Sequence, residues 1–247
     1  MFFSIITVTY NAEATIKKTL DSIIMQDFDD YEVVIIDGAS SDTTLEIINE
    51  YSKSITNYKV LSEKDNGIYD AMNKGISRTT GEYIYFLNAG DFFINENVLS
   101  NVAKYICDYE RKYGKKKYIF HGDMFRAGKV VTYPDTFKEW KWIYLEHAYF
   151  SHQAIFANKN TFNKVPFNTK LKICADRDWL IRTMRDDGKY VHMKGLIIAN
   201  YAEGGMSSGY KSQQKDSLTI SKTYGGKKAY YFVRVKRKIG EILGHER

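Results

Sequence analysis

Apolar residues fall into short unbroken runs that alternate with stretches of helical spacing. Phe2 to Thr9 carries Ile5, Ile6 and Val8 in a β-type run that ends in Thr9-Tyr10-Asn11. The next stretch places Ile16, Leu20, Ile23 and Ile24 on one face, the spacing of an amphipathic helix, with Asn11 available as its cap. Glu32 to Ile36 predicts a second strand closed by Asp37-Gly38-Ala39-Ser40, and Ser41 or Asp42 caps a helix that turns Ile47, Ile48 and Tyr51 inward. Tyr58 to Leu61 reads as a third strand ending at Ser62-Glu63, Tyr69 to Ser77 as a short helix, and Tyr83 to Leu87 as a fourth strand. That fourth apolar run stops abruptly at Asn88-Ala89-Gly90-Asp91. Unbroken apolar strands are those buried on both faces of a parallel sheet. Strand–helix alternation at this spacing implies right-handed βαβ crossovers.

The second half is less regular. Val98 to Tyr109 predicts a helix, Tyr118 to His121 a strand, Gly122-Asp123 a turn and Lys129 to Tyr133 another strand. Thr136 to Tyr144 reads as a short helix with Phe137, Trp140 and Trp142, and Gln153 to Ala157 as a strand preceded by Ser151-His152. Asp176 to Arg185 is helical in pattern, Tyr190 to Ala199 is a strand, and 202–209 is a flexible Gly/Ser-rich loop. Near the end, Tyr231, Phe232, Val235, Ile239, Ile242 and Leu243 recur at helical spacing with basic residues between them. Such a helix either lies on a membrane surface or packs with its lysines in solvent.

In a parallel sheet the four polar strand ends, Tyr10/Asn11, Asp37, Glu63/Asp65 and Asn88/Asp91, lie along one edge. Open α/β sheets bind ligands at that edge. The first half is therefore expected to be a nucleotide-binding half-domain, and an acidic group on a Gly-loosened turn suits a metal ion carrying a diphosphate. Neither G-x-G-x-x-G after the first strand nor G-x-x-x-x-G-K-[ST] is present, which argues against a dinucleotide site and a P-loop.

Composition narrows the setting. The chain has 247 residues, 44% hydrophobic, enough for one large domain or one domain with an extension. Two cysteines, Cys107 and Cys174, make no disulfide framework and point to a reducing compartment. No apolar run approaches the roughly 18 residues that span a bilayer, and Met1 to Val8 is too short for a signal peptide. A cytoplasmic location is expected. The net charge of +6 gathers in residues 227 to 247, which hold seven Lys/Arg against Glu241 and Glu246, and in a cluster from Arg111 to Lys117. Basic patches favour anionic lipid, acidic ligands or nucleic acid. The basic residues lack the aromatic interleaving of a nucleic-acid module, so no nucleic-acid partner is expected.

Several blocks resemble the GT-A glycosyltransferases of family 2: Ile5-Ile6-Thr7-Val8-Thr9-Tyr10-Asn11, Val33 to Thr44 through Asp37-Gly38, and the long block Ser62 to Gly75 containing Asp65-Asn66-Gly67-Ile68-Tyr69-Asp70-Ala71-Met72-Asn73-Lys74. The chain is most similar to the subgroup that builds exopolysaccharide and O-antigen repeat units, including colanic-acid-type enzymes. Leu87 to Asp91, Ser151 to Phe156 and Gly204-Gly205-Met206-Ser207 continue the likeness, which covers roughly residues 2 to 210. It implies an α/β GT-A fold: a mostly parallel central sheet flanked by helices, with a nucleotide-sugar half of about 1–95, an acceptor half of about 96–210, and a basic amphipathic extension over 211–247. The implied reaction is inverting transfer of a sugar, hexosyl transfer in type, from a UDP- or GDP-linked donor to a polyprenyl-diphosphate-linked acceptor, with peripheral membrane contact.

By the same resemblance Thr9 and Tyr10 line the nucleobase slot, Asp37 and Asp65 accept hydrogen bonds from base, ribose or sugar, and Asn88 belongs to the donor turn. Asp91 holds Mn²⁺ or Mg²⁺ on the diphosphate, although Asn88 and Gly90 stand where many relatives carry Asp. His152 either completes the metal shell or is a hydrogen-bonded or acceptor-site histidine. Asp176, in Ala175-Asp176-Arg177-Asp178, is the expected catalytic base, with Asp178 the alternative and Ala175 in place of the usual Glu. Lys74 either pairs with Asp70 four residues away or reaches the diphosphate, and Lys211 and Lys215 could close over phosphates. The rival readings are a sugar-nucleotide nucleotidyltransferase, which lacks here its Gly-rich basic loop after the first strand, and a non-catalytic nucleotide-binding protein.

Overall fold

A computed structural model describes residues 1–133, 141–145, 151–162, 166–201 and 210–242. The helix expected from Thr136 lies, as far as residue 140, outside the described residues, as does the Gly-rich stretch 202–209.

The first half forms four parallel strands: β1 (Phe3–Thr9), β2 (Tyr31–Asp37), β3 (Tyr58–Ser62) and β4 (Tyr83–Phe86), in the order β3-β2-β1-β4. Every residue of β1 and β4 is buried because helices cover both faces of the sheet. One face packs Phe3, Ile5, Val33 and Tyr85 against α1 (Ile16–Ile24), α2 (Thr44–Glu50) and α4 (Val98–Tyr113). The other packs Ile6, Val8, Val34 and Phe86 with α3 (Ile68–Ile76) and α6 (Ala175–Arg185). The single turn α5 (Lys141–Tyr144) joins this second core through Ile143.

Parallel pairing is confined to this half and one further pair. β8 (Ile155–Asn158) runs antiparallel to β4, β6 (Tyr118–Arg126) antiparallel to β8, and β9 (Lys189–Asn200) parallel to β6. The two-residue strand β5 (Phe92–Phe93) closes the far edge antiparallel to β9, so the sheet is mixed. β7 (Lys129–Val131) returns along β6 through Ala127-Gly128, both at positive φ (49° and 76°), as a two-residue hairpin requires.

Three local expectations give way. β6 does not end at His121; it continues through a register shift at Gly122-Asp123. A Cβ on Gly122 would stand 2.5 Å from Ile198 Cγ1 and 2.6 Å from the Leu196 carbonyl, so this glycine permits close strand approach at a bulge. Asn11 does not cap α1. It sits at φ 45°, its side-chain oxygen accepts the Ser41 N–H at 2.9 Å, and the helix begins five residues later. The N-cap of α2 is Thr43 rather than Ser41 or Asp42, and Asp42, one residue earlier, accepts the Thr44 N–H at 3.0 Å. The loops after β1 and β2 are thus tied to each other, with Glu13 accepting from Thr43 and Asp42 from Glu13.

The chain closes in α7 (Tyr210–Ile242), broken at Gly226. Its first part lies against α5 and α6. Ser217 receives the Arg177 guanidinium at 2.6 Å, and Ser221 donates to the Tyr144 carbonyl at 2.7 Å.

Candidate functional site

The register of the parallel strands brings the polar ends together: Thr9 pairs with Asp37, and Asp37 with Ser62. Asp37 is completely buried. Its carboxylate accepts the Ser40 N–H at 3.0 Å, the Ser62 hydroxyl at 2.6 Å and the Ser40 hydroxyl. It therefore shapes the loop after β2 from beneath. Thr9 is also buried, and its Oγ1 has no hydrogen-bond partner among the described residues.

The surface above them is formed by Tyr10 and Asp65. Tyr10 is 64% exposed, an aromatic face open to solvent at the end of β1. Asp65, half-buried, accepts the Gly67 N–H at 2.8 Å and stands against Gly38: a Cβ there would lie 2.6 Å from Asp65 Oδ2 and 3.3 Å from Tyr10 Cδ2. Gly38 thus leaves room for a ring and a carboxylate to flank one narrow slot. Lys74 makes the expected pair with Asp70, at 3.5 Å. It also pairs with Glu63 at 3.0 Å and donates to the Lys64 carbonyl at 2.8 Å, pinning the loop that carries Asp65. Lys215 is exposed on α7, and the side chain of Lys211 lies outside the described residues.

The helix α6 presents two carboxylates in its first turn, and their surroundings separate them. Asp178 is buried, held by Arg182 Nε at 2.8 Å and by the Tyr224 hydroxyl of α7 at 2.6 Å. Asp176 retains 18% of its side-chain surface. Its Oδ1 accepts the Arg177 N–H at 2.7 Å, with the Tyr69 hydroxyl at 3.4 Å. Burial, reinforced by the Asp176 charge, pushes the Tyr69 hydroxyl well above its ordinary pKa, so it stays a donor to the Ile173 carbonyl.

His152 joins the two sides. Its Nδ1 is 3.2 Å from Asp176 Oδ2, and its Nε2 is 3.1 Å from the Asn88 amide nitrogen just beyond β4. An amide nitrogen can only donate, so Nε2 accepts, Nδ1 carries the proton, and the imidazole donates to Asp176. The ring is held from behind, where the buried Tyr85 hydroxyl donates to the Gln153 carbonyl at 2.7 Å and the Tyr85 ring stacks on Phe156 at 4.3 Å.

The residues beyond β4 offer donors for a divalent cation without forming a closed cage. Asn88 Oδ1 is buried and has no hydrogen-bond partner among the described residues. His152 has both ring nitrogens committed, Nε2 to the Asn88 amide and Nδ1 to Asp176, so it stands here as a hydrogen-bonded histidine and offers an ion no lone pair, while Asp91, 4% exposed, follows three residues after Asn88. Amide oxygen and carboxylate suit Mn²⁺ or Mg²⁺, ions that take part of their shell from substrate phosphates. Among the described residues, no group of three or more His, Cys, Asp or Glu is placed to hold an ion by itself.

Three residues that the sequence patterns do not mark support the start of α6: Tyr69 beside Asp176, Tyr224 on Asp178 and Asp216 on the segment just before the helix. Asp216 Oδ2 accepts the N–H groups of Lys172, Ile173 and Cys174 at 2.7, 2.7 and 3.2 Å, fixing the segment that leads into α6. It lies 40 positions from Asp176 in the chain, and no local pattern marks it.

A model described as glycosyl transferase family 2 matches residues 4–169. A PGL/p-HBAD biosynthesis glycosyltransferase of Mycobacterium tuberculosis is 31% identical over 209 residues, covering 83% of this chain and 79% of the relative. The poly(ribitol-phosphate) β-N-acetylglucosaminyltransferase TarS of Staphylococcus aureus is 34% identical over 113 residues, 44% of this chain and 19% of TarS. Among solved structures, S. aureus TarS superposes with a TM-score of 0.71 at 21% identity, covering 90% of this chain but only 39% of that one. A Pyrobaculum calidifontis mannosyltransferase in complex with GDP-Man and Mn²⁺ gives 0.64 at 18% identity, covering 90% of this chain and 63% of that one. At these identities the structures establish the shared GT-A-like fold.

Proposed function

Because the chain belongs to glycosyl transferase family 2, we propose that it moves a sugar, with inversion, from a nucleoside-diphosphate donor to a polyprenyl-diphosphate-linked oligosaccharide during surface polysaccharide assembly. The observation that carries this reading is the hydrogen-bonded line Asn88–His152–Asp176, which joins the end of β4 to the first turn of α6. A carboxylate fixed opposite a nucleotide-type slot is the geometry that single displacement requires.

Tyr10 stacks on the nucleobase, with Gly38 giving it room beside Asp65, and Asp65 accepts a hydrogen bond from ribose or sugar. Asp37 keeps the loop in shape from below. Asp176 takes the proton of the acceptor hydroxyl as that oxygen forms a bond to the anomeric carbon and the bond to the diphosphate breaks. His152 holds Asp176 in line. Asp91 and Asn88 Oδ1, with phosphate oxygens of the donor, would hold Mn²⁺ or Mg²⁺, which would offset negative charge on the leaving nucleoside diphosphate. TarS has been solved with UDP-GlcNAc and the mannosyltransferase with GDP-Man, so UDP- and GDP-linked sugars are the donors to screen.

The test is release of nucleoside diphosphate from a panel of UDP- and GDP-sugars, with and without Mn²⁺, in the presence of polyprenyl-diphosphate-linked acceptors. One donor should be turned over, and Asp176→Asn should lower transfer by about a hundredfold or more while donor binding persists. Transfer retained in Asp176→Asn overturns the base assignment, and failure to bind any nucleotide sugar overturns the reading.

A further inference from the structure

Past Gly226 the last part of α7 presents two opposite faces. Ala229 and Val233, 6% and 0% exposed, seat it on the body. At about 100° per residue the far side carries Tyr231, Val235 and Ile239 at four-residue intervals, with Phe232 beside them. These four are 58, 56, 51 and 48% exposed. Large apolar side chains on consecutive turns of one helix differ from the single apolar residues scattered over ordinary surfaces. Lys227, Lys228, Arg234 and Lys238 are exposed around the stripe, and residues 227–240 contain no acidic residue.

The direction of this face is built in. Gly226 adopts φ 67°, ψ −163°, a backbone conformation that L side chains rarely take, and it breaks α7 there. A Cβ on the preceding Gly225 would collide with the Tyr144 ring and with Ala229, so the bend seats directly on α5.

We propose that residues 227–240 form a docking surface for an anionic lipid bilayer, lying in its interfacial plane. The apolar stripe enters the boundary between headgroups and acyl chains, and the flanking cations meet lipid phosphates. A second copy of the chain is a poorer occupant, because face-to-face pairing sets like charges around the stripe against each other, whereas an anionic leaflet offsets them. The surface lies on the membrane and does not span it: among the described residues no helix is long and apolar enough to cross. The lipid-linked acceptor of the proposed reaction gives such docking its purpose. Docking is measured without donor or acceptor, so its failure and the failure of that reading are separable.

The experiment is co-sedimentation of the full chain with vesicles of phosphatidylcholine alone or mixed with phosphatidylglycerol, at low and high salt. Binding to the anionic vesicles should exceed binding to the neutral ones by about tenfold or more and weaken with salt. Replacing Tyr231, Phe232, Val235 and Ile239 by Ser should lower it by about tenfold or more, and replacing Lys227, Lys228, Arg234 and Lys238 by Gln should remove the preference for anionic lipid. All eight positions are exposed, and the melting temperature of each variant checks its fold. Equal binding of wild type to both vesicles, or wild-type binding by the serine variant, overturns the proposal. So does a wild-type dimer in light scattering that the serine variant abolishes while no vesicle binding is seen.

Discussion

His152 Nδ1 stands 3.2 Å from Asp176 Oδ2 while the same ring meets Asn88 at 3.1 Å through Nε2. The imidazole is thus a donor on one side and an acceptor on the other, and it fixes the carboxylate that the proposed reaction uses. Asp176→Asn is expected to lower kcat by about two to four orders of magnitude. His152→Ala, which removes a positioning hydrogen bond, is expected to lower it about ten- to a hundredfold. If the pair acts as one unit, the double variant falls no further than Asp176→Asn. Steady-state kinetics of the three variants checks this, and additive losses would show that His152 works independently of Asp176.

Gly38 is where the donor slot is most sensitive to one atom. The Cβ of alanine would lie 2.6 Å from Asp65 Oδ2, the far end of a side chain that can move, and 3.3 Å from the Tyr10 ring. Gly38→Ala should therefore leave stability within about 1 kcal/mol of wild type and weaken donor binding about tenfold, about 1.4 kcal/mol. Calorimetry with the donor, alongside a thermal melt, separates the two effects.

The first half was legible in the sequence because its signals are local. Ile5-Ile6-Thr7-Val8 and Val33 to Ile36 are buried on both faces, and a β-run that ends in polar residues announces its strand end. The ends of β1, β2 and β3 then fall in register, as the parallel reading requires. The second half was less legible because its decisive contacts are distant. Gly122-Asp123 looks like a turn and is a bulge, since the strand that fills the space left by Gly122 lies more than 70 residues later. Asp176 and Asp178 are alike in sequence. Only Arg182 and Tyr224, the latter on α7, assign one to structure and leave the other facing the cleft. Asn11, a plausible cap, is diverted to Ser41 in the neighbouring loop.

Asp216 tests how far α7 supports the site. One of its oxygens satisfies three backbone N–H groups just before α6. Asp216→Ala leaves them without that acceptor and should cost about 2–4 kcal/mol in urea unfolding. Asp216→Asn keeps one oxygen and should recover much of that stability. Asp216 acts through the segment leading to Asp176, so the Asn variant should lower kcat with little change in the donor KM. A change confined to the donor KM would place its effect at the nucleotide slot instead.

Glu32 predicts the acid limb of stability. It is 1% exposed between β1 and β3, where its carboxylate takes the Ser4 hydroxyl at 2.6 Å, the Lys59 ammonium at 2.7 Å and the Thr80 N–H. Burial alone would raise its pKa, but Lys59, Ser4 and Thr80 together outweigh it and bring the carboxyl from 4.5 to about 2. A carboxyl whose folded pKa lies below its unfolded one stabilises the fold fully above the unfolded value, and loses that contribution as pH falls toward the folded one. The lowered pKa corresponds to about 3 kcal/mol, present at pH 7 and lost between roughly pH 4.5 and 2. Urea unfolding across that range should show wild-type stability falling with pH. Glu32→Gln should start lower at pH 7 by about 2–3 kcal/mol and show a flatter acid limb, so that the two curves converge near pH 2. Parallel curves would mean that Glu32 has the same proton affinity folded and unfolded.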